Sequence, residues 1–254
     1  MPALYLVATP IGNLEDITLR ALRVLKEAGL IAAEDTRTTR KLLSHYDIHT
    51  PLTSYHQHNK KAKLGYLLAQ IQEKDVALVS EAGTPGLSDP GYELVLACLE
   101  ESIPIVPIPG PSAITTAVTL AGLANNQFLY LGFLHRRKGE RQRLLEKIAL
   151  LPFTLVFLEA PHRLKKSLIA LEEALGDRRV AVCRELTKIH EEVFRGSLSQ
   201  ALDHFAQPKG EFTLVIEGHQ EAKGGIPTGV IEELRRLCQE GVPAREAIAR
   251  ASQS

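Results

Sequence analysis

The stretch VALVSEAGTPGLSDPG, Val76 to Gly91, decides the fold of this chain. Its first four residues are apolar and suit a strand. The next twelve hold three glycines and two prolines, and can continue neither strand nor helix. From Gly91 to Glu100 an apolar pattern at helical spacing resumes. A strand, a stiff Gly/Pro loop and a helix is how open α/β sheets present backbone groups to a small ligand. An ordinary β-to-α turn has a similar composition, so one such loop decides little. Recurrence decides more. ATPIGN (Ala8–Asn13) follows the apolar run Leu4–Val7, and PIPGPSA (Pro107–Ala113) follows Ile105 and Val106. Three such loops at strand ends imply one sheet edge and a shared cleft.

Outward from these loops the chain alternates between strand-like and helix-like segments, the pattern of an α/β protein. Further strands are expected at Leu30–Ala33, Phe128–Gly132, Thr154–Glu159, Val180–Arg184, Glu192–Arg195 and Phe212–Glu217. Helices are expected at Leu19–Glu27, Arg37–Ser44, Lys61–Gln72, Ala113–Leu120, Lys138–Leu150, Arg163–Leu175 and Ser197–Phe205. The break at Leu123–Gln127 suggests two α/β domains, residues 1–112 and 113–218, with the cleft between them. Residues 219–254 read as a glycine-rich linker (Gly218–Gly229) and two short amphipathic helices. They are expected to be an incomplete helical extension of a truncated chain.

Thirty Lys and Arg balance thirty Asp and Glu, so no global field draws in nucleic acid or a membrane, and such binding needs local patches. No window reaches transmembrane length, and no signal peptide opens the chain. Cys98, Cys183 and Cys238 are too far apart for a CxxC site, which fits a reducing cytoplasm. His45, His49, His56 and His58 cluster in sequence, but no cysteine or paired carboxylate completes a tetrahedral set, and no metal is expected.

The segments VATPIGNLEDITLRAL, AAEDTRTTRKLL, SEAGTPGLSDPG, PIPGPSA, EAPHR, REL and GEFTLVIEG together resemble one family from about Leu4 to Gly218. It is the bacterial family of 16S ribosomal RNA cytidine 2′-O-ribose methyltransferases, within the tetrapyrrole methylase (class III S-adenosylmethionine methyltransferase) superfamily. GTPGLSDPG points only to the superfamily; AAEDTR, APHR and RELTK are specific to the ribosomal branch. Glu81 stands where Asp is expected and Ala160 where Ser is expected. The resemblance implies two α/β domains of the tetrapyrrole methylase type with S-adenosylmethionine in the inter-domain cleft. It further implies the small ribosomal subunit and its 16S rRNA as partner, neither DNA nor membrane, and a homodimer. Tetrapyrrole or other small-molecule methylation on the same fold is the alternative.

Carried over, cofactor contacts would come from Pro10, Ala82, Gly83, Thr84 and Leu87, from Ser112 and Ala113, and from Phe157 and Leu158. Leu186, Phe212 and Thr213 complete that set. A ribose hydroxyl is a poor acid, so a nearby carboxylate would help. Glu34 and Asp35 end a strand on the loop edge, where paired carboxylates can push one pKa upward; Asp35 also suits a helix cap. Glu81 is a further candidate, beside the cofactor loop. For RNA, the candidates are Gly12 and Asn13 near the substrate, Arg37, and His56 and Asn59 beside Tyr55. His162 and Arg163 of APHR join them. HRRKGERQR (His135–Arg143) carries five Lys or Arg against one Glu, and Arg136, Arg137 and Lys138 are its candidate phosphate contacts. Arg184 and Glu185 read either as a structural ion pair or as residues shaping the site.

Overall fold

The structure is a computed structural model describing residues 2–220, 228–240 and 242–251. It comprises two compact units: Met1–Ala149 with Phe153–Glu217, and the smaller Leu150–Pro152 with Gly218–Ser254.

The larger unit holds two five-stranded sheets. The first contains β1 (Leu4–Val7), β2 (Leu30–Ala33), β3 (Leu52–Ser54), β4 (Val76–Val79) and β5 (Ile105–Ile108), in the order β3-β2-β4-β1-β5. All its pairings are parallel. Four helices cover it: α1 (Leu19–Glu27), α2 (Thr36–His45), α3 (Lys60–Glu73) and α4 (Tyr92–Glu100). Parallel strands covered on both faces should be apolar at every position, and β2 and β4 are. The pleat sorts them. Leu30, Ala32, Val76 and Leu78 face Leu67 and Ile71 of α3 and Leu94 and Cys98 of α4. Ile31, Ala33, Ala77 and Val79 face Ala21, Val24 and Leu25 of α1 and Leu42 and Leu43 of α2.

The second sheet contains β6 (Phe128–Phe133), β7 (Thr154–Glu159), β8 (Arg179–Arg184), β9 (Glu192–Ser197) and β10 (Phe212–Ile216), ordered β6-β7-β10-β8-β9. β6 runs parallel to β7 and the remaining pairs are antiparallel. α5 (Ala113–Leu120) buries Ile114, Ala117 and Val118 against Val156, Ala181 and Val215 of this sheet. α6 (Lys138–Ile148), α7 (Pro161–Leu175) and α8 (Leu198–His204) complete it; a Ser197–Gln200 capping box starts α8. Residue 112 lies between the sheets: every strand of the first precedes it and every strand of the second follows it.

In the smaller unit α9 (Thr228–Gln239) packs on α10 (Ala244–Ala251), burying Leu237 and Ala247. Residues 221–227 of the expected linker, and the end of the chain, lie outside the described residues. One strand was not expected. β3 is a three-residue edge strand, half-buried and partly polar, too short for a periodic signal. It places Tyr55 wholly in the core, where an RNA-facing segment was expected.

Short polar bridges join the two sheets. Asn13 donates its N–H to Thr187 Oγ1 at 3.1 Å, and the hydroxyls of Ser88, after β4, and Tyr130, on β6, lie 2.7 Å apart. The first bridge depends on Gly12. A Cβ there would lie 2.4 Å from Lys188 Cγ, 2.8 Å from Thr187 Oγ1 and 3.0 Å from the Leu186 carbonyl oxygen. The lysine stem could swing away, but the threonine and the backbone could not. Gly12→Ala should therefore cost about 1–3 kcal/mol, as overpacking does, and should loosen the cavity described next. Denaturant melts of the variant check this; an unchanged midpoint would mean the loops are not in register.

Candidate active site

The carboxyl ends of the first sheet's strands face the open end of the second sheet across a cavity of about 520 Å³. That volume suits a small cofactor or substrate. Ile11 comes from the loop after β1, Glu34 from the end of β2, and Glu81 to Thr84, Leu87 and Asp89 from the loop after β4. The loop after β5 contributes Ser112 and, with the start of α5, Ala113 and Ile114. Phe133 at the end of β6, Leu158 and Glu159 of β7, Cys183 of β8 and Leu186 close the far side, with Glu211, Phe212 and Thr213.

The Gly/Pro loops hold one another. Thr9 and Gly83 exchange backbone hydrogen bonds of 2.9 and 3.0 Å, so the loops after β1 and β4 form a small antiparallel bridge. The Ser80 hydroxyl lies 3.2 and 3.3 Å from the Ala82 and Gly83 carbonyls and can donate to either. Across the cavity Glu185 and Thr187 flank Leu186 with φ of 49° and 67°, a left-handed backbone that non-glycine residues seldom adopt. Such strain persists where surrounding contacts enforce it. Here the Thr187 N–H donates to Glu191 Oε2 at 2.6 Å, and Lys188 Nζ binds Glu185 Oε1 at 3.0 Å and Glu211 Oε2 at 2.9 Å.

Among the described residues five carboxylates line the cavity and no lysine or arginine does. Two have cationic partners. Glu211 holds Lys188, and Glu159, whose side chain is fully buried, meets Arg163 Nε at 3.3 Å as well as the Ser167 hydroxyl. The other three crowd together. Glu34 Oε2 accepts the Glu81 N–H at 3.2 Å, and burial is the main influence raising the Glu34 carboxyl. Burial, and then the Glu34 charge, push Asp89 up to about 7.

Two helices point their amino ends into this space. Ser112 before α5 and Ala160 before α7 make no side-chain cap bond, while Ala113, Ile114, Pro161 and His162 of the first turns line the cavity. Free N–H groups and the helix dipole make such ends receptive to an anion. The cavity thus offers carboxylates for a cation and helix ends for an anion, both of which an amino-acid-bearing sulfonium carries. The residues present fit that group.

Of the expected cofactor residues, Ala82, Gly83, Thr84, Leu87, Ser112, Ala113, Leu158, Leu186, Phe212 and Thr213 line the cavity. Pro10 and Phe157 do not; the pleat turns the buried Phe157 away from the face that carries Leu158. Glu34 and Glu81 line it and Asp35 does not. Asp35 is the cap of α2: its carboxylate accepts the N–H groups of Arg37 and Thr38 at 2.7 and 3.3 Å, which hold it below the usual carboxylate range. The upward shift expected of that pair falls on Glu34 alone. Among the RNA candidates, His162 lines the cavity. Gly12 and Asn13 bridge to the 186–188 loop instead, and Arg163 directs its guanidinium to Glu159 and the Leu134 carbonyl. Arg37 is exposed beside Asp35, and the Asn59 amide is engaged with Ser54 and the His56 N–H. His56 follows β3, its Nδ1 buried without a partner. Arg136, Arg137 and Lys138 are exposed, three to five residues beyond Phe133 in the wall. Arg184 pairs with Glu192, and Glu185 with Lys188. Among the described residues no three His, Cys, Asp or Glu side chains form a group able to hold a metal ion.

Comparison with known proteins adds a name to this geometry. The model of the tetrapyrrole (corrin/porphyrin) methylases matches residues 3–202. The chain belongs to this family. Within it, the ribosomal RNA small subunit methyltransferase I of Halalkalibacterium halodurans is 52% identical over 86% of this chain and 76% of its own. The protein of the same name from Escherichia coli O157:H7 is 44% identical over 98% of this chain and 89% of its own. A uroporphyrin-III-C-methyltransferase from Thermus thermophilus, 23% identical, shares the fold with a TM-score of 0.60 over 85% of this chain and 94% of that one.

Sequence reasoning passed over Asp89, Phe133, Glu159, Cys183 and Glu211 as wall residues. Signals existed for three of them: Asp89 in SDPG, Glu159 in EAPHR and Glu211 in GEFT all fall within the motifs that carry the family resemblance. Asp89 has a measurable consequence. Its carboxyl is harder to ionise folded than unfolded. Its contribution to stability is therefore complete below about pH 4, the unfolded value, and is lost as the pH rises through its folded value of about 7. Asp89→Asn should raise the melting temperature by a few degrees at pH 8 and bring no gain at pH 4. Asp35 has the opposite sign, since its depressed pKa adds stability above the usual carboxylate range and loses it on acidification. Asp35→Ala should lower the melting temperature at pH 7, and Asp35→Asn, which keeps a capping oxygen, should recover most of it. Thermal melts across pH check both.

Proposed function

We propose that this protein is an S-adenosylmethionine-dependent methyltransferase that methylates the 2′-hydroxyl of a cytidine ribose in small-subunit ribosomal RNA, and that it works in the cytoplasm as a homodimer. Membership of the family and the names of its relatives support the reading. The observation that carries it is a cavity with five carboxylates, two uncapped helix ends and, among the described residues, no lysine or arginine, suited to a cationic methyl donor.

The donor supplies a methyl group on a positively charged sulfur. Its charge disperses as the methyl leaves, so a strong anion held against the sulfur would favour the ground state; carbonyls of the Thr9–Gly83 bridge are the gentler match. The α5 and α7 amino ends would take the donor's carboxylate. Leu158, Leu186 and Phe212 would cover an apolar ring and exclude water. Orientation of oxygen, carbon and sulfur within about 3–3.5 Å is the largest contribution asked of the walls.

Among the described residues the cavity has no lysine or arginine, so the RNA phosphates stay outside it and the ribose alone enters. His135 to Arg143, following Phe133, is the basic surface for them, and its contacts would fix position rather than sequence. For the dimer, Tyr92, Leu96 and Leu99 form an exposed apolar stripe along α4; a monomer in light scattering would remove that part of the proposal. Among the described residues no helix is long and apolar enough to cross a membrane.

Calorimetry with S-adenosylmethionine and radiolabelled methyl transfer to small ribosomal subunits test the reading, with porphyrinogens as the competing substrate. Donor binding together with label in a ribose is the expected result. Failure to bind the donor, or label only in the porphyrinogen, would end it. The triple variant Arg136→Ala, Arg137→Ala, Lys138→Ala should bind RNA more weakly and flatten the log–log salt dependence by about 2–3 while leaving donor affinity unchanged.

A further inference from the structure

Among the described residues, three acids of the wall form no ion pair with a lysine or arginine: Glu34, Glu81 and Asp89. Asp89 is fixed from both sides. Ser88 before it adopts φ 67°, and its hydroxyl lies 2.7 Å from the Tyr130 hydroxyl on β6, across the cavity from the first sheet. Pro90 follows, and then Gly91 at φ 150°, where a Cβ would lie 3.0 Å from the Leu78 side chain and 3.1 Å from Gly86 Cα. The carboxyl is thus held on rigid backbone, on a cavity wall built by both sheets. The groups that influence it are Glu34 from β2, Glu81 and Ser80 from the loop after β4, and Tyr130 from β6. No cation is among them.

Resting on the ribose-methylation reading above, we propose that Asp89 is the proton acceptor for the hydroxyl that becomes methylated. As the new C–O bond forms and the donor's C–S bond breaks, the O–H bond breaks and its proton passes to a carboxylate oxygen of Asp89. The positive charge on sulfur and the negative charge on the carboxylate vanish together. A methyl ether, a neutral thioether and a carboxylic acid remain. The other acids suit the role less well. Asp35 is spent as a cap outside the cavity, and Glu159 and Glu211 are paired with Arg163 and Lys188. Glu34 accepts the Glu81 N–H, and Glu81 itself is exposed to solvent. Burial, and then the Glu34 charge, keep Asp89 basic, and a base serves best when its pKa lies near the working pH, as the value of about 7 does.

The test uses the whole chain, wild type and Asp89→Asn, with Asp89→Glu as the conservative variant. A melting temperature unchanged at pH 4, where the Asp89 carboxyl is neutral, should show the fold intact, while kcat at saturating donor falls about 100- to 10,000-fold. Asp89→Glu should restore part of it. Wild-type kcat should fall as pH drops below about 7, and Asp89→Asn should lose that limb. Without donor or RNA, carbon-13 carboxyl spectra of the wild type should show one group titrating near that pH, absent from Asp89→Asn. An Asp89→Asn protein with kcat within about threefold of wild type, or one that keeps the acid limb, overturns the proposal. So does a donor-free protein with no such carboxyl. A wild type that binds donor but leaves the RNA unmethylated sinks the ribose reading and this proposal together; an active wild type beside an equally active Asp89→Asn sinks this proposal alone.

Discussion

Everything in the larger unit depends on how closely the loop after β1 can approach the loop after β8. Gly12 lies where a single added carbon would collide with Thr187 and the Leu186 carbonyl, and Asn13 is hydrogen-bonded to the same threonine. That contact sets the distance between the ends of the two sheets. The 520 Å³ space beside it is the remainder of two sheets that meet at their loops and not at their faces. The left-handed residues around Leu186 are the corresponding strain on the opposite side, locked by Glu191, Glu211 and Lys188.

A second constraint is electrostatic. Burying a carboxylate without a cation is unfavourable, and a fold free to choose would neutralise or pair it. Glu159 and Glu211 are paired; Glu34 and Asp89 are not, and both are raised by burial. A protein that keeps such acids together on a cavity wall gives up stability there, which marks the place as a working site more firmly than its shape does.

Much of this was legible in the sequence because three strands of the first sheet are four-residue apolar runs with polar residues, glycine or proline soon after. Every one of β1, β2 and β4 begins and ends where its run does. The loops could be placed on one edge for the same reason. What could not be read is which side chains meet there. Asp89 sits in a DPG turn that any surface loop might contain; only the folded chain brings the end of β2 and the hydroxyl of Tyr130 beside it. Glu34 and Asp35 read as one acidic pair, yet the backbone turns one carboxylate into the cavity and the other onto α2. β3 escaped because an edge strand of three residues has no period, and with it went the reason Tyr55 is buried.

An acid-lined cavity is an odd partner for a polyanion, and the oddity is informative. Ribosomal RNA carries a phosphate at every nucleotide, and each would be repelled by Glu34, Glu81 and Asp89. Repulsion at the wall and attraction at the rim act together only if the neutral ribose crosses the boundary while the phosphates on either side remain on the basic turn after Phe133. Two opposite surfaces a few residues apart would then orient the nucleotide without reading its sequence. If Asp89 takes the proton as proposed, the charge brought in on a sulfonium donor and the charge on the wall would cancel as the methyl moves, so the product state would hold fewer buried charges than the reactant state. The thioether left behind would no longer be drawn by its sulfur to the wall carboxylates, which favours its release.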